Sequence, residues 1–290
     1  MLQPTSNVTL AIDNSQHMLQ PHPITSFTIW ACVDAYQVLW LIYIATATCR
    51  RIRDSNSFIY CIEGVIPVPS LLFFTAGMVA RSMAVLASYR LHYLTALSAS
   101  GLTPVVFWVS VKYALCCFKK SENSQDIHTL TDNVLVPVLI HNGLCCLATW
   151  STLTFDVQVC SALTSLLAWK ESSAEITALL IISVEVVAWC IIDWITFRHH
   201  LTFVVTPYVI LIATLVAIAD FKPKDLMSCI PSILLGLVIV VTMVRIMRTI
   251  WETGHLRQRY YKASHHELAE TGPLPDLIPL NPLPAIVTDT

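Results

Sequence analysis

The chain has 290 residues, of which 55% are hydrophobic and 12% are charged, and its formal net charge is −2. Soluble domains carry about 25% charged residues, so this composition excludes an ordinary soluble domain. The near-neutral charge, and the lack of any basic stretch with interleaved aromatics, predict no nucleic-acid partner. Charge is confined to short windows between long apolar ones. Because about 20 apolar helical residues cross the bilayer core, this pattern predicts a polytopic all-α membrane protein whose partner is the lipid bilayer.

Residues 1–27 form a polar leader that contains Asn7-Val8-Thr9, the only Asn-X-Ser/Thr sequon in the chain. The leader has neither a basic n-region nor an apolar h-region, so we expect no cleavable signal peptide. A sequon is used only if it reaches the lumen. We therefore expect a glycosylated Asn7 on the extracellular or lumenal side.

Seven apolar windows follow the leader, and we expect each to be one membrane span. They lie at 28–48, 65–87, 97–118, 134–169, 175–196, 201–219 and 228–248. The fourth window has no strong breaker after Gly143, so we interpret it as one helix that overshoots the membrane and places Asp156 near the outer headgroups. The predicted fold is an all-α polytopic transmembrane seven-helix bundle, with one membrane domain over 28–248.

The tail over 249–290 begins with basic residues and is then punctuated by prolines, from Pro273 to Pro284. Such a composition is typical of disorder. With the N-terminus outside, eleven Lys and Arg residues fall on the inner side and four on the outer side. The positive-inside rule therefore predicts a disordered cytoplasmic tail and an extracellular or lumenal N-terminus.

Five ionisable residues fall inside the predicted spans, where an unpaired charge is costly. Asp34 and Arg81 lie at matching depths in the outer half of the first two spans, so we expect them to pair. Lys112 and Asp193 match in the inner half of the third and fifth spans. Glu185 lies in mid-span with no cation at its depth, and it could either lock helices together or carry a proton.

No pattern in the chain indicates an enzyme. An intramembrane zinc hydrolase needs several converging histidines, and His141 is the only histidine well inside a span. Nucleophile-elbow, Walker and Rossmann patterns are also missing. We therefore expect no catalytic residues, no metal and no cofactor.

Two stretches resemble the tryptophan-rich sensory protein, or translocator protein, family. The segment from Pro23 to Trp30, followed by Tyr36, resembles the Trp- and Tyr-containing first helix of that family. The segment from Leu147 to Asp156, which contains Trp150, resembles its Leu-X-X-Trp late helix, with Asp156 near the family's Asn and the family's Ala replaced.

The resemblance implies a helical bundle that binds a porphyrin- or sterol-like apolar ligand, with Trp30, Tyr36 and Trp150 at the ligand. This chain departs from the family in having two more predicted helices and no Asn-rich second helix. The segment with His141-Asn142-Gly143 and Ala148-Thr149-Trp150 also resembles uncharacterised multi-span animal membrane proteins.

Three functions remain open from the sequence. The first is a non-enzymatic membrane protein that binds or passes a small apolar ligand within the bundle. The second is a divergent seven-helix signalling receptor, although the triplets typical of rhodopsin-like receptors are missing. The third is a proton-linked carrier that uses Glu185. Trp30 and Trp150 could alternatively serve only as packing or interfacial residues.

Overall fold

The computed structural model describes residues 23–49, 68–90, 92–123, 135–195, 204–220 and 229–270. Regular structure in these ranges is all helical, which confirms the all-α fold class. We number the helices α1 Pro23–Cys49, α2 Val68–Tyr89, α3 Tyr93–Asn123, α4 Asn142–Leu167, α5 Glu171–Ile195, α6 Thr206–Asp220 and α7 Cys229–Glu270. A π-helix over Val136–His141 leads directly into α4. The Asn7 sequon lies outside the described residues.

Six helical segments are long and apolar enough to cross a membrane. They are Thr25–Ala47, Val68–Tyr89, Tyr93–Phe118, Val136–Leu167, Glu171–Asp193 and Cys229–Trp251. The remaining helix, α6, has a shorter apolar stretch, Thr206–Ile218. The chain is therefore an integral membrane protein with six candidate spans in its described part, and the role of α6 depends on its surroundings.

The π-helix and α4 form one continuous central helix. In this segment, 83% of the apolar window is buried, whereas in each of the other five spans the buried share is a third or less. The helix packs against α1, α3, α5 and α6. Its 32 residues reach about 48 Å at 1.5 Å per residue. The fourth apolar window is thus a single helix rather than two spans.

Asp156 lies within this central helix, roughly 16 Å before its end at Leu167 at 1.5 Å per residue. The side chain is completely buried between helices.

The π-helix supplies backbone acceptors to neighbouring side chains. A π-turn shifts the helical hydrogen-bond register and leaves carbonyls available. The carbonyl of Pro137 accepts a hydrogen bond of 3.1 Å from the Asn142 amide nitrogen. The carbonyl of Val138 accepts one from the Tyr36 hydroxyl of α1. The wider turn therefore fixes α1 against the central helix.

Small residues let α2 and α3 pack closely. A Cβ on Gly77 would lie 2.5 Å from the Phe107 ring, so only glycine leaves room for that ring. Ser70 and Ser110 each donate to the other's backbone carbonyl, at 3.0 and 2.7 Å. Close contact between small residues, together with hydroxyl hydrogen bonds, is how helices associate where lipid offers no hydrophobic driving force.

The turn between α4 and α5 is short. Ala168 has φ 51°, in the left-handed region, and its N–H donates to the carbonyl of Leu163. The N–H of Trp169 donates to the same carbonyl, at 3.2 Å. These bonds satisfy acceptors that a helix C-terminus leaves free. The chain thus passes from α4 to α5 through residues 168–170, which include no glycine, proline or asparagine.

The last helix extends beyond the predicted membrane domain. α7 continues to Glu270, so the disorder predicted from residue 249 is wrong for 249–270, where the sequence is compatible with a continuing helix. Residues 271–290, with most of the prolines, lie outside the described residues. The chain divides into two compact units, Met1–Arg245 and Ile246–Thr290. All sites discussed below belong to the first unit.

Candidate functional site

A cavity of about 330 Å³ lies among the first six helices. Its walls combine aromatic and aliphatic groups with several hydroxyls, contributed by Ser26, Trp30, Arg81, Ala84, Val85, Ser88, Tyr89, Ser100, Thr103, Trp150, Ser151, Leu153, Thr154, Val157, Gln158, Ile182, Thr214 and Ile218. This volume is at the lower end of the range of about 300–1,000 Å³ for small-molecule sites. Mostly apolar walls with a few polar groups are the usual composition of such sites.

Two of the three predicted ligand-binding residues meet at this cavity. The rings of Trp30 on α1 and Trp150 on α4 form an edge-to-face pair with centroids 5.4 Å apart. Both residues line the cavity. Tyr36 is not among the lining residues, and its hydroxyl donates to the Val138 carbonyl. Tyr36 therefore connects α1 to the π-helix.

Arg81 stands beside the tryptophan pair and is already neutralised. Its two terminal nitrogens donate to the two carboxylate oxygens of Asp34, at 3.0 and 3.2 Å. Its guanidinium carbon lies 3.8 Å from the centroid of the Trp30 ring. A bidentate pair with aromatic stacking is the geometry that arginine favours. The pair expected from matching depth is thus present, and its arginine forms part of the cavity wall.

Two buried polar groups of the lining residues have no hydrogen-bond partner. They are the indole N–H of Trp150 and the hydroxyl of Ser151, both buried. Most neighbouring hydroxyls instead donate to carbonyls of their own helix, as Ser88, Thr103 and Thr154 do. A buried donor without an acceptor costs about 1–3 kcal/mol. Trp150 and Ser151 therefore carry two buried donors that the protein itself leaves unsatisfied.

A second polar group, separate from the cavity lining, involves two acids. Asp156 on α4 is completely buried, and neither carboxylate oxygen has a hydrogen-bond partner. The half-buried Glu185 on α5 lies near enough to interact with it electrostatically. No cation was expected from the sequence at the depth of Glu185, and the group that lies beside Glu185 is the carboxyl group of Asp156.

The predicted pair between Lys112 and Asp193 is not formed. Asp193 is buried and accepts hydrogen bonds from the Tyr208 hydroxyl, at 2.6 Å, and from Arg245 of α7, which completes an ion pair. Lys112 is exposed on the surface of α3. Matching depth specifies only the position of a residue along the bundle axis. Lys112 lies on an exposed face of α3 that does not contact Asp193.

The sequence His141-Asn142-Gly143 has a structural role at the start of α6. The side-chain oxygen of Asn142 accepts the backbone N–H groups of Val205 and Thr206, at 2.9 and 3.1 Å. It caps the free donors of that helix N-terminus as a local cap residue would. A Cβ on Gly143 would collide with the Trp40 ring. The motif therefore joins α1, α4 and α6.

Sequence reasoning missed Ser151, Asn142 and the burial of Asp156. One signal was available for all three: the fourth apolar window carries polar residues on every face, which indicates a helix surrounded by protein rather than lipid. Within the described part of the chain, no group of three or more His, Cys, Asp or Glu could hold a metal ion. Searches against family models, curated proteins and solved structures returned no match.

Proposed function

We propose that this protein binds a small, mainly apolar molecule with one hydrogen-bonding oxygen in the cavity beside Trp30 and Trp150. The observation that carries the proposal is the pair of unpartnered donors at Trp150 and Ser151, on residues that line an otherwise largely apolar space. An oxygen of the ligand would satisfy these donors. The ring faces and aliphatic groups would remove its apolar surface from water or lipid.

The geometry favours a sterol-like ligand over a porphyrin-like one. Porphyrins of biological origin carry carboxylates, and the only cationic side chain of the lining, Arg81, is already paired with Asp34. A second anion would have to displace Asp34 and leave it unpaired. A sterol has a single hydroxyl on an apolar body. Such a molecule matches a cavity of about 330 Å³ with two adjacent unpartnered donors, on Trp150 and Ser151. The resemblance to the translocator family implies either ligand class, so the choice of a sterol rests on the cavity itself.

We further propose that α6 is a seventh span. It is short, with 15 residues, and would cover only about 22 Å of a hydrocarbon core of about 30 Å. The backbone N–H groups at its start nevertheless donate to the Asn142 side chain. Non-helical backbone within the membrane is tolerated where protein surrounds it. Seven spans agree with an outside N-terminus, a glycosylated Asn7 and a cytoplasmic C-terminus.

The experiment that tests the function measures binding of radiolabelled cholesterol to the full chain in lipid nanodiscs. Ala84 lines the cavity, and Ala76 is exposed on the same helix. We expect Ala84→Trp to fill the cavity and weaken binding at least tenfold, whereas Ala76→Trp, a matched control of equal bulk, leaves binding unchanged. Thermal stability of both variants reports whether they fold.

Two results would contradict the proposal. One is equal binding by wild type and a folded Ala84→Trp. The other is saturable, competable binding of a porphyrin dicarboxylate but not of cholesterol, which would reverse the choice of ligand class.

A further inference from the structure

We infer that Asp156 and Glu185 form a proton-binding site inside the helical bundle. Asp156 lies on the central helix, with no exposed surface and with both carboxylate oxygens unpartnered. Glu185 faces it from α5, and the two carboxyl groups interact. The site thus combines an acidic pair with a buried polar side chain whose hydrogen bonds are missing.

Two carboxyl groups buried next to each other require a positive charge, either a proton or a cation, to offset their negative charge. An ionised carboxylate removed from water without a partner is far more costly than a neutral acid. A second carboxylate beside it adds repulsion. One proton passes from a hydronium ion of the solvent, which is left as water, to an Asp156 oxygen. It removes the buried charge and creates an O–H that can donate a hydrogen bond to Glu185. No bond other than this O–H bond forms, and no redox partner is needed.

The composition of the site favours a proton over a metal ion. Hard cations such as Ca²⁺ and Mg²⁺ take about six or more oxygen ligands. Here two carboxyl groups converge, and no third His, Cys, Asp or Glu joins them among the residues described. Neither oxygen of Asp156 contacts a donor that would compete with the proton.

Other ionisable groups on the helices packed around Asp156 are engaged or directed elsewhere. On α1, Asp34 pairs with Arg81 of α2. On α5, Asp193 pairs with Arg245, whereas Glu171 and Glu175 lie near the Cys160 thiol and are not among the groups that affect Asp156. On α3, Lys112 is exposed, and on α6 the Tyr208 hydroxyl donates to Asp193. Glu185 is therefore the charged group of the described chain that acts on Asp156.

Neither acid of the pair lines the cavity. Leu153 and Val157, near Asp156 on α4, do line it, as does Ile182, one turn before Glu185. Proton binding rests on the acids alone and does not depend on the proposed ligand. A failure of one proposal therefore leaves the other untouched, since cholesterol binding and carboxyl protonation are measured separately.

Infrared spectroscopy of the full chain in lipid nanodiscs at neutral pH tests the site. The wild type should show the carbonyl band of a protonated carboxylic acid, shifted in D₂O. Asp156→Asn, a neutral replacement of similar shape, should abolish the band. Glu185→Gln should shift it without loss, because the acceptor of the proton's hydrogen bond changes from a carboxylate to an amide. Glu171→Gln, at an exposed position, should leave it unchanged.

Three outcomes would overturn the inference. The first is a wild-type spectrum without the band, and the second is an unchanged band in Asp156→Asn. The third is a band that grows when sodium chloride is replaced by choline chloride, because a sodium ion rather than a proton would then occupy the pair. Thermal stability of Asp156→Asn close to that of wild type verifies that its spectrum comes from folded protein.

Discussion

Single residues in this protein are constrained mainly by close approach and by unsatisfied hydrogen-bonding groups. Gly143 admits the Trp40 ring, and its carbonyl accepts a hydrogen bond of 3.0 Å from Gln37, which also accepts one of 2.6 Å from the Trp40 indole. No apolar pattern reveals such contacts, since a glycine within an apolar window looks the same whether it meets a tryptophan or lipid. Sequence reasoning found Trp30 and Trp150 through their residue type, whereas the role of Ser151 depends on its orientation.

The first prediction compares two glycines. Gly143→Ala places a methyl group against Trp40, whereas a Cβ on Gly236 of α7 meets nothing within 4 Å. Overpacking costs about 1–3 kcal/mol, so we expect Gly143→Ala to lower the thermal unfolding temperature in detergent. Gly236→Ala, the matched control, should leave it unchanged or raise it slightly. Equal stability of both variants would show that Trp40 moves aside without cost.

At the scale of helices, the sequence predicted the position of a residue along its helix better than the helix face on which the side chain lies. Hydropathy placed most spans, and matching depth predicted the contact between the Asp34 and Arg81 side chains, although α1 and α2 make few close backbone contacts. The same reasoning failed for Lys112, whose face of α3 was unknown. The π-turn and the length of α7 were not predicted from the sequence either. Helix propensity does not specify the tertiary contacts of the π-turn, nor does it specify how far α7 continues. Asn142 could not be recognised as a cap because the helix it caps lies 63 residues away.

The second prediction tests the Asp34–Arg81 pair between α1 and α2. Reversal of either charge alone, as Asp34→Arg or Arg81→Asp, leaves two like charges and should reduce the yield of folded protein several-fold. An unpaired charge costs about 3 kcal/mol at the centre of a membrane span and less in the outer half, where the sequence predicts this pair to lie. The double reversal should recover part of the yield, although not all, because the cation over the Trp30 ring is lost.

Fluorescence-detected size exclusion of tagged full-length protein measures this yield. A double reversal as damaging as the single ones would mean that each charge acts separately and that the contact has no energetic role.

At the scale of the whole molecule, the membrane domain has a long central helix with other helices around it. This arrangement explains why the polar groups concentrate on one element: Asn142, Ser151 and Asp156 all lie on α4, where protein rather than lipid surrounds them. The sequence identified the all-helical membrane class from composition alone. It could not identify the cavity, because a space between six helices is defined by packing and not by any single window.

Photoaffinity mapping tests the central claim, ligand binding beside Trp30 and Trp150, most directly. The full chain in nanodiscs is labelled with a photoreactive cholesterol analogue, and the adducts are located by mass spectrometry. We predict adducts on peptides of α1 and α4 that contain Trp30 and Trp150, lost with excess cholesterol and in Ala84→Trp but retained in Ala76→Trp. Adducts confined to exposed, outward-facing residues such as Val79 and Leu180, unaffected by Ala84→Trp, would contradict the account.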